Sequence, residues 1–126
     1  MHVEGGLQVC EITPDARTNG DAGIVRTYAA EPGQEYSAVA LVRVKGAMPA
    51  FKARLTIAAK RGGGRQLQEF NNRIESDTDD FVPLEVTGAV MPPGTELVTV
   101  KFRAHTREPG AAGTAELRRF TFTRRT

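Results

Sequence analysis

The chain has 126 residues, 40% of them apolar and 25% charged, with a formal net charge of +2. That is the balance of a single soluble globular domain, residues 1–126, long enough to close one hydrophobic core. No apolar run approaches the roughly 20 residues of a membrane-spanning helix, and the opening MHVEGGLQV lacks the basic-then-apolar pattern of a signal peptide.

Strand-like runs separated by turn formers follow one another along the chain. LQVCEI (7–12) comes first and holds the single cysteine, Cys10, so no internal disulfide can form. Strand-like neighbours make Cys10 a small core residue rather than a nucleophile. The turn-rich TPDARTNGDAG leads into a strand over 23–30, then EPGQ turns the chain into the longest strand, 35–45. After GAMPAF, residues 52–60 place Leu55, Ile57 and Ala59 on one face and Arg54, Thr56 and Ala58 on the other. RGGGR reads as a hairpin connection to 66–74. In that segment Leu67, Phe70 and Ile74 also fit one face of a short helix; the strands on either side favour a strand.

ESDTDD is a polar loop before the strand 81–90, where Pro83 implies a sheet edge or a bulge. MPPGTE turns again. Residues 97–105 then alternate Val98, Val100, Phe102 and Ala104 against Leu97, Thr99, Lys101, Arg103 and His105. TREPGAAG leads to the last strand, 114–124. About eight short strands and no long helix predict an all-β fold, a sandwich or barrel.

Charge runs in blocks. Residues 1–42 carry two Arg and six acids, 43–65 seven Lys or Arg and no acid, 66–96 one Arg and seven acids, and 97–126 seven Arg or Lys and two acids. Such alternation predicts segments that meet and partly neutralise each other, not a uniformly basic nucleic-acid-binding tail, so no nucleic-acid partner is expected.

Two stretches carry a resemblance. GIVRTYAAEPGQEYSAVALVRVKG resembles jelly-roll carbohydrate-binding modules of the galactose-binding-like superfamily, where a strand enters a Pro-Gly turn and a Tyr opens the next strand. DDFVPLEVTGAVMPPGTELVTVKFRA is similar to their later strand pair, and GTAELRRFTFT stands where they place the last strand. The resemblance spans about residues 23–124. It implies a jelly-roll β-sandwich of about eight antiparallel strands in two sheets. It also implies a non-catalytic module of a larger polysaccharide-active or surface protein, extracellular or at the cell surface, with an oligosaccharide or polysaccharide as partner.

Three positions depart from that pattern. Phe81 stands where the family usually has Trp. Arg118 and Arg119 replace acids that often help hold a structural calcium, so that site is doubtful and no cofactor is expected. Without Trp, and with only Tyr28 and Tyr36, the chain lacks a flat aromatic platform for neutral sugars; both tyrosines read as core residues by phase.

The resemblance implies that strands 23–30, 52–60, 66–74 and 97–105 share the ligand-bearing sheet. Its polar phase would expose Arg54, Thr56, Glu69, Asn71, Arg73, Lys101, Arg103 and His105, with Arg26 lining the groove or lying at its margin. Arg and Lys there could pair with carboxylates or sulfates of an acidic glycan; the same charges would also serve a solvated face with cross-strand ion pairs. Asp15, Asn19 and Asp21, like the acids of 75–80, have oxygen ligands but not the spacing of a calcium loop. His2 and His105 lack zinc spacing, and RGGGR lacks the Lys-Ser/Thr end of a phosphate loop, so no enzyme is expected. The alternative reading is a structural or protein-interaction sandwich of a phage tail, capsid or surface assembly, in which a homo-oligomer would cover the groove.

Overall fold

In a computed structural model, the backbone is described for residues 2–5, 8–12, 21–45, 51–106 and 113–125, and the side chains for 25–45, 52–104 and 115–125. The period-two pattern folds as strand: β1 (His2–Gly5), β2 (Gln8–Ile12), β3 (Asp21–Ala29), β4 (Glu35–Lys45), β5 (Phe51–Lys60), β6 (Gln66–Ile74), β7 (Val82–Val90), β8 (Leu97–Thr106) and β9 (Gly113–Arg125). Residues 66–74 are the expected strand, not a helix. β1 adds a ninth strand. It pairs with 120–123 of β9 while β2 pairs with 113–117, both on one edge of β9.

β2 and β1 flank β9 in the sheet β9-β4-β7, and β3-β8-β5-β6 forms the second sheet. All pairings are antiparallel. This strand order is that of a jelly-roll sandwich. Each strand buries one face because side chains alternate across the pleat. β4 contributes Tyr36, Ala38, Ala40, Val42 and Val44, and β8 contributes Val98, Val100, Phe102 and Ala104. Leu55, Ile57, Leu84, Leu117 and Phe122 fill the space between the sheets. Tyr36 is fully buried and stacks on Phe122 at 5.2 Å between ring centroids; Tyr28 stacks on the same ring at 5.6 Å. Both tyrosines are thus part of the packed interior. Cys10 stands in register with the buried Ala115; its side chain lies outside the described residues.

The Pro32–Gly33 turn carries the chain from one sheet to the other. Gly33 has φ +84°, a left-handed value that an L side chain adopts only at a cost. The Gly33 N–H donates to the Met91 carbonyl at 2.8 Å, and the Met91 N–H donates back to the Gln34 carbonyl at 2.9 Å. This turn is therefore tied to the chain that leaves β7. RGGGR forms a short 3-10 turn (Gly62–Gly64) closing the β5–β6 hairpin, with Arg61 N–H donating to the Arg65 carbonyl. Pro83 lies on β7, whose only partner among the described residues is β4; of the edge or bulge expected there, the structure gives the edge.

Bulges reset the alternation at three places among the described residues, one of them between Ala59 and Lys60, where the β6 register skips from Gln68 to Gln66. Between Leu41 and Val42 the β9 register skips from Arg119 to Leu117, so Arg118 is the extra residue. That explains how consecutive Arg118 and Arg119 are both exposed between buried Leu117 and Phe120. The third lies opposite Ser37, where Gly88 has φ +67°.

The charge blocks only partly neutralise each other. Lys52–Glu75 (3.4 Å) and Arg125–Glu35 (3.8 Å) join a basic to an acidic block. β5 and β8, however, place two basic blocks side by side. The sheet is ordered by its apolar inner face, and that face sets the neighbours regardless of the charge outside.

Candidate functional site

The outer face of β3-β8-β5-β6 follows from register, because directly paired residues stand on the same face. Arg54 of β5 pairs with Arg103 of β8 on one side and Arg73 of β6 on the other. Three arginines thus line up across three neighbouring strands. In the next row Lys101, Thr56 and Asn71 align, with Val25 of β3 beyond Lys101. The following row is Thr27, Thr99, Ala58 and Glu69.

The middle of this face is low and covered. Thr56, Ala58 and Thr99 have outward phase yet are only 2%, 4% and 5% exposed. Their long neighbours Arg54, Lys101, Lys60 and Glu69 are the side chains that can shield them, with aliphatic stems over the sheet and polar heads in water. The Thr27 and Thr99 hydroxyls are hydrogen-bonded at 3.1 Å. Among the described residues no aromatic ring stands on this face, so a ligand here would meet charge and amides rather than a stacking platform.

Acids are few. Glu75, just past β6, accepts from Arg73 Nε at 2.9 Å and lies 3.4 Å from Lys52 Nζ. Glu69 is held along its own strand, accepting from Asn71 Nδ2 at 3.1 Å and Gln66 Nε2 at 3.4 Å. Arg54 Nε is buried without a hydrogen-bond partner, and among the described residues no carboxylate pairs with Arg54.

The face brings together Arg54, Glu69, Asn71, Arg73, Lys101 and Arg103 of the expected residues. His105 stands in register with Lys52 and Asp21, but its side chain lies outside the described residues. Arg26 does not join the face. It pairs with Val100, whose side chain is buried, and so has the inward phase of an edge strand. Its Nη1 donates to the Val25 carbonyl at 3.0 Å. Lys52 was legible in the same alternation as Arg54 but is missing from the expected set. Glu75 follows the strand's end and only the fold brings it to Lys52.

The acidic loop 75–80 is a structural turn. Thr78 N–H donates to the Val44 carbonyl at 2.9 Å and its Oγ1 accepts from Val44 N–H at 3.0 Å, while Asp80 accepts from Phe81 N–H at 2.7 Å. Among the described residues no group of three His, Cys, Asp or Glu side chains is placed to hold a metal ion. Asp15 and Asn19, like residues 107–112, lie outside the described residues.

On the opposite sheet Arg43 pairs with Glu116, its Nη2 donating to Oε2 at 2.7 Å. That hydrogen bond holds the Glu116 carboxyl below its usual range; loss of water contact opposes it, and the charges of Arg43, Lys45 and Arg118 add to it. The guanidinium carbons of Arg43 and Arg118 lie 4.7 and 4.4 Å from the Phe81 ring centroid.

No protein-family model matches the chain, and no curated protein matches it in sequence. Solved structures do share the fold. A tailspike protein of bacteriophage CBA120, in its enzymatically active domain, superposes with a TM-score of 0.61 at 13% identity, over 96% of this chain and 19% of that one. The carbohydrate-binding module TmCBM61, solved with β-1,4-galactotriose, gives 0.59 at 10% identity, over 98% of this chain and 88% of that one. The sugar-binding C-terminal domain of EclA gives 0.55 at 14% identity, over 96% and 81%. These likenesses establish the jelly-roll sandwich that carbohydrate-binding modules use.

Proposed function

We propose that this chain is a non-catalytic glycan-binding module that takes an acidic polysaccharide on the outer face of β3-β8-β5-β6. The observation that carries the reading is the concentration of Lys52, Arg54, Arg73, Lys101 and Arg103 on one sheet face, against three acids among the described residues, Glu69, Glu75 and, by register, Asp21. Sugar-binding modules of the same fold, of which this chain covers 88% and 81%, support it. With no ring on the described face, the attraction is electrostatic, from Arg forks and Lys ammonium groups on carboxylate or sulfate. The module would serve a larger extracellular or surface protein.

Affinity gels with neutral and acidic glycans test this. Binding to an acidic glycan that is lost in a triple Arg54→Ala, Lys101→Ala, Arg103→Ala variant supports the reading. Retention of no glycan of either kind overturns it.

A second reading is an assembly domain of a phage tail or similar particle, favoured by the tailspike likeness and the ring-free face. Light scattering separates the two: a stable homo-oligomer that buries this face supports assembly, and a monomer supports glycan binding.

A further inference from the structure

Resting on the glycan-binding reading, we propose that Arg73, Arg54 and Arg103 form a linear array of guanidinium groups for a polyuronate. The ligand would be an acidic glycan with carboxylates on successive sugars, its chain crossing β6, β5 and β8. The three arginines are direct register partners, so they are set one strand apart. Neighbouring strands lie about 4.8 Å apart, close to the advance of one pyranose along a glycan chain. Like charges placed directly opposite destabilise a sheet, yet this row sets three of them side by side. Glu75 engages Arg73 at one end through Nε, and Arg54, in the middle, has no carboxylate partner among the described residues.

One small anion would answer only part of such a row. A chain with an anionic group on each sugar answers all of it, and charges held on one backbone give an avidity that separate ions lack. The planar guanidinium fork matches a carboxylate in two parallel hydrogen bonds. The adjoining row of Lys101, Thr56 and Asn71 carries one more cation and the hydroxyl and amide groups that hydrogen-bond sugars.

The test is titration calorimetry of the full chain with galacturonic acid monomer, dimer, trimer and tetramer, with a sulfated oligosaccharide and a neutral galactan of matching length. Affinity is expected to climb steeply to the trimer and then level off. Arg73→Ala and Arg103→Ala, at the ends of the row, should each weaken trimer binding roughly tenfold, the scale of one charge-assisted hydrogen-bonded pair. Arg54→Lys, which keeps the charge but not the fork, should weaken it too. Arg125→Ala, the same charge change on the other sheet, should leave it unaltered. Circular dichroism checks that each variant is folded. Equal affinity for monomer and trimer, or preference for the sulfated ligand, overturns this inference and leaves the glycan-binding reading standing. Binding to the neutral galactan alone overturns it and the acidic-glycan reading together. Binding to none of these ligands overturns this inference, while the general reading is judged separately by the affinity gels.

Discussion

Arg43 and Glu116 are in-register partners on β4 and β9, joined by a 2.7 Å hydrogen bond, and the same guanidinium stacks on Phe81. One arginine therefore ties two strands of a sheet to the loop that enters a third. Arg118 completes this arrangement because the bulge in β9 leaves it outside the strict alternation. Phe81 is thus the aromatic centre of a cationic clasp.

Glu116 makes this clasp sensitive to acid. Its carboxyl titrates below the usual range in the folded chain because Arg43 donates to it. A lowered folded pKa contributes stability that is fully present above the unfolded value, about 4.3 for Glu. The contribution is lost as pH falls through the folded pKa. Glu116→Gln should lower the melting temperature at neutral pH. The difference from wild type should shrink below about pH 4 and vanish once Glu116 is protonated in the folded as well as the unfolded chain. Melting curves at several pH values check it, and a gap that stays constant down to strong acid contradicts it.

Phe81 should couple energetically to Arg118. Stacking of a cation on an exposed aromatic contributes about 0.5–1 kcal/mol. Phe81→Ala should lose stability and Phe81→Trp should retain it. In a double-mutant cycle with Arg118→Ala, denaturant titrations should return a coupling of that size, whereas additive effects would remove the interaction.

Phe122 is fully buried between Tyr28 and Tyr36. Phe122→Ala leaves both rings without their shared neighbour and should cost about 3–5 kcal/mol. Phe122→Leu should cost less, because more of the volume is kept. Urea unfolding midpoints distinguish them; equal losses would mean that the ring contacts contribute little beyond volume.

The arginine row should be a stability cost that a ligand relieves. Arg54→Gln removes the central like charge and should stabilise the free chain by roughly 0.5–1 kcal/mol, the size of direct cross-strand charge effects. Added salt should raise the wild-type melting temperature more than that of the variant, since screening acts on the repulsion. A variant less stable than wild type at low salt would show that the arginine stem's cover over Thr56 outweighs the charge.

Local pattern made much of this fold readable in advance. Val98, Val100, Phe102 and Ala104 could be assigned inward before any fold was known, because a strand that buries one face must alternate. Pro83 foretold an edge or a bulge because it cannot donate to a ladder, and β7 stands at an edge among the described strands. Tyr36 foretold its own burial, and the strand bounds 35–45 and 66–74 stand unchanged. HVEG of β1 gave no signal, because four residues with one strong apolar side chain do not make a pattern.

The candidate face divides the same way. Alternation by itself placed Arg54, Lys101 and Arg103 on the polar side of their strands, and a sequence can do this because each side chain's face depends only on its immediate neighbours. It could not say that Arg54 would stand between Arg73 and Arg103, or that Glu75 would reach Lys52. Those are facts of pairing between segments far apart in the chain, and pairing was decided only when the apolar faces of two sheets closed on one core. The charges on the outside were carried into their rows by that closure, which is why the two basic blocks ended as neighbours.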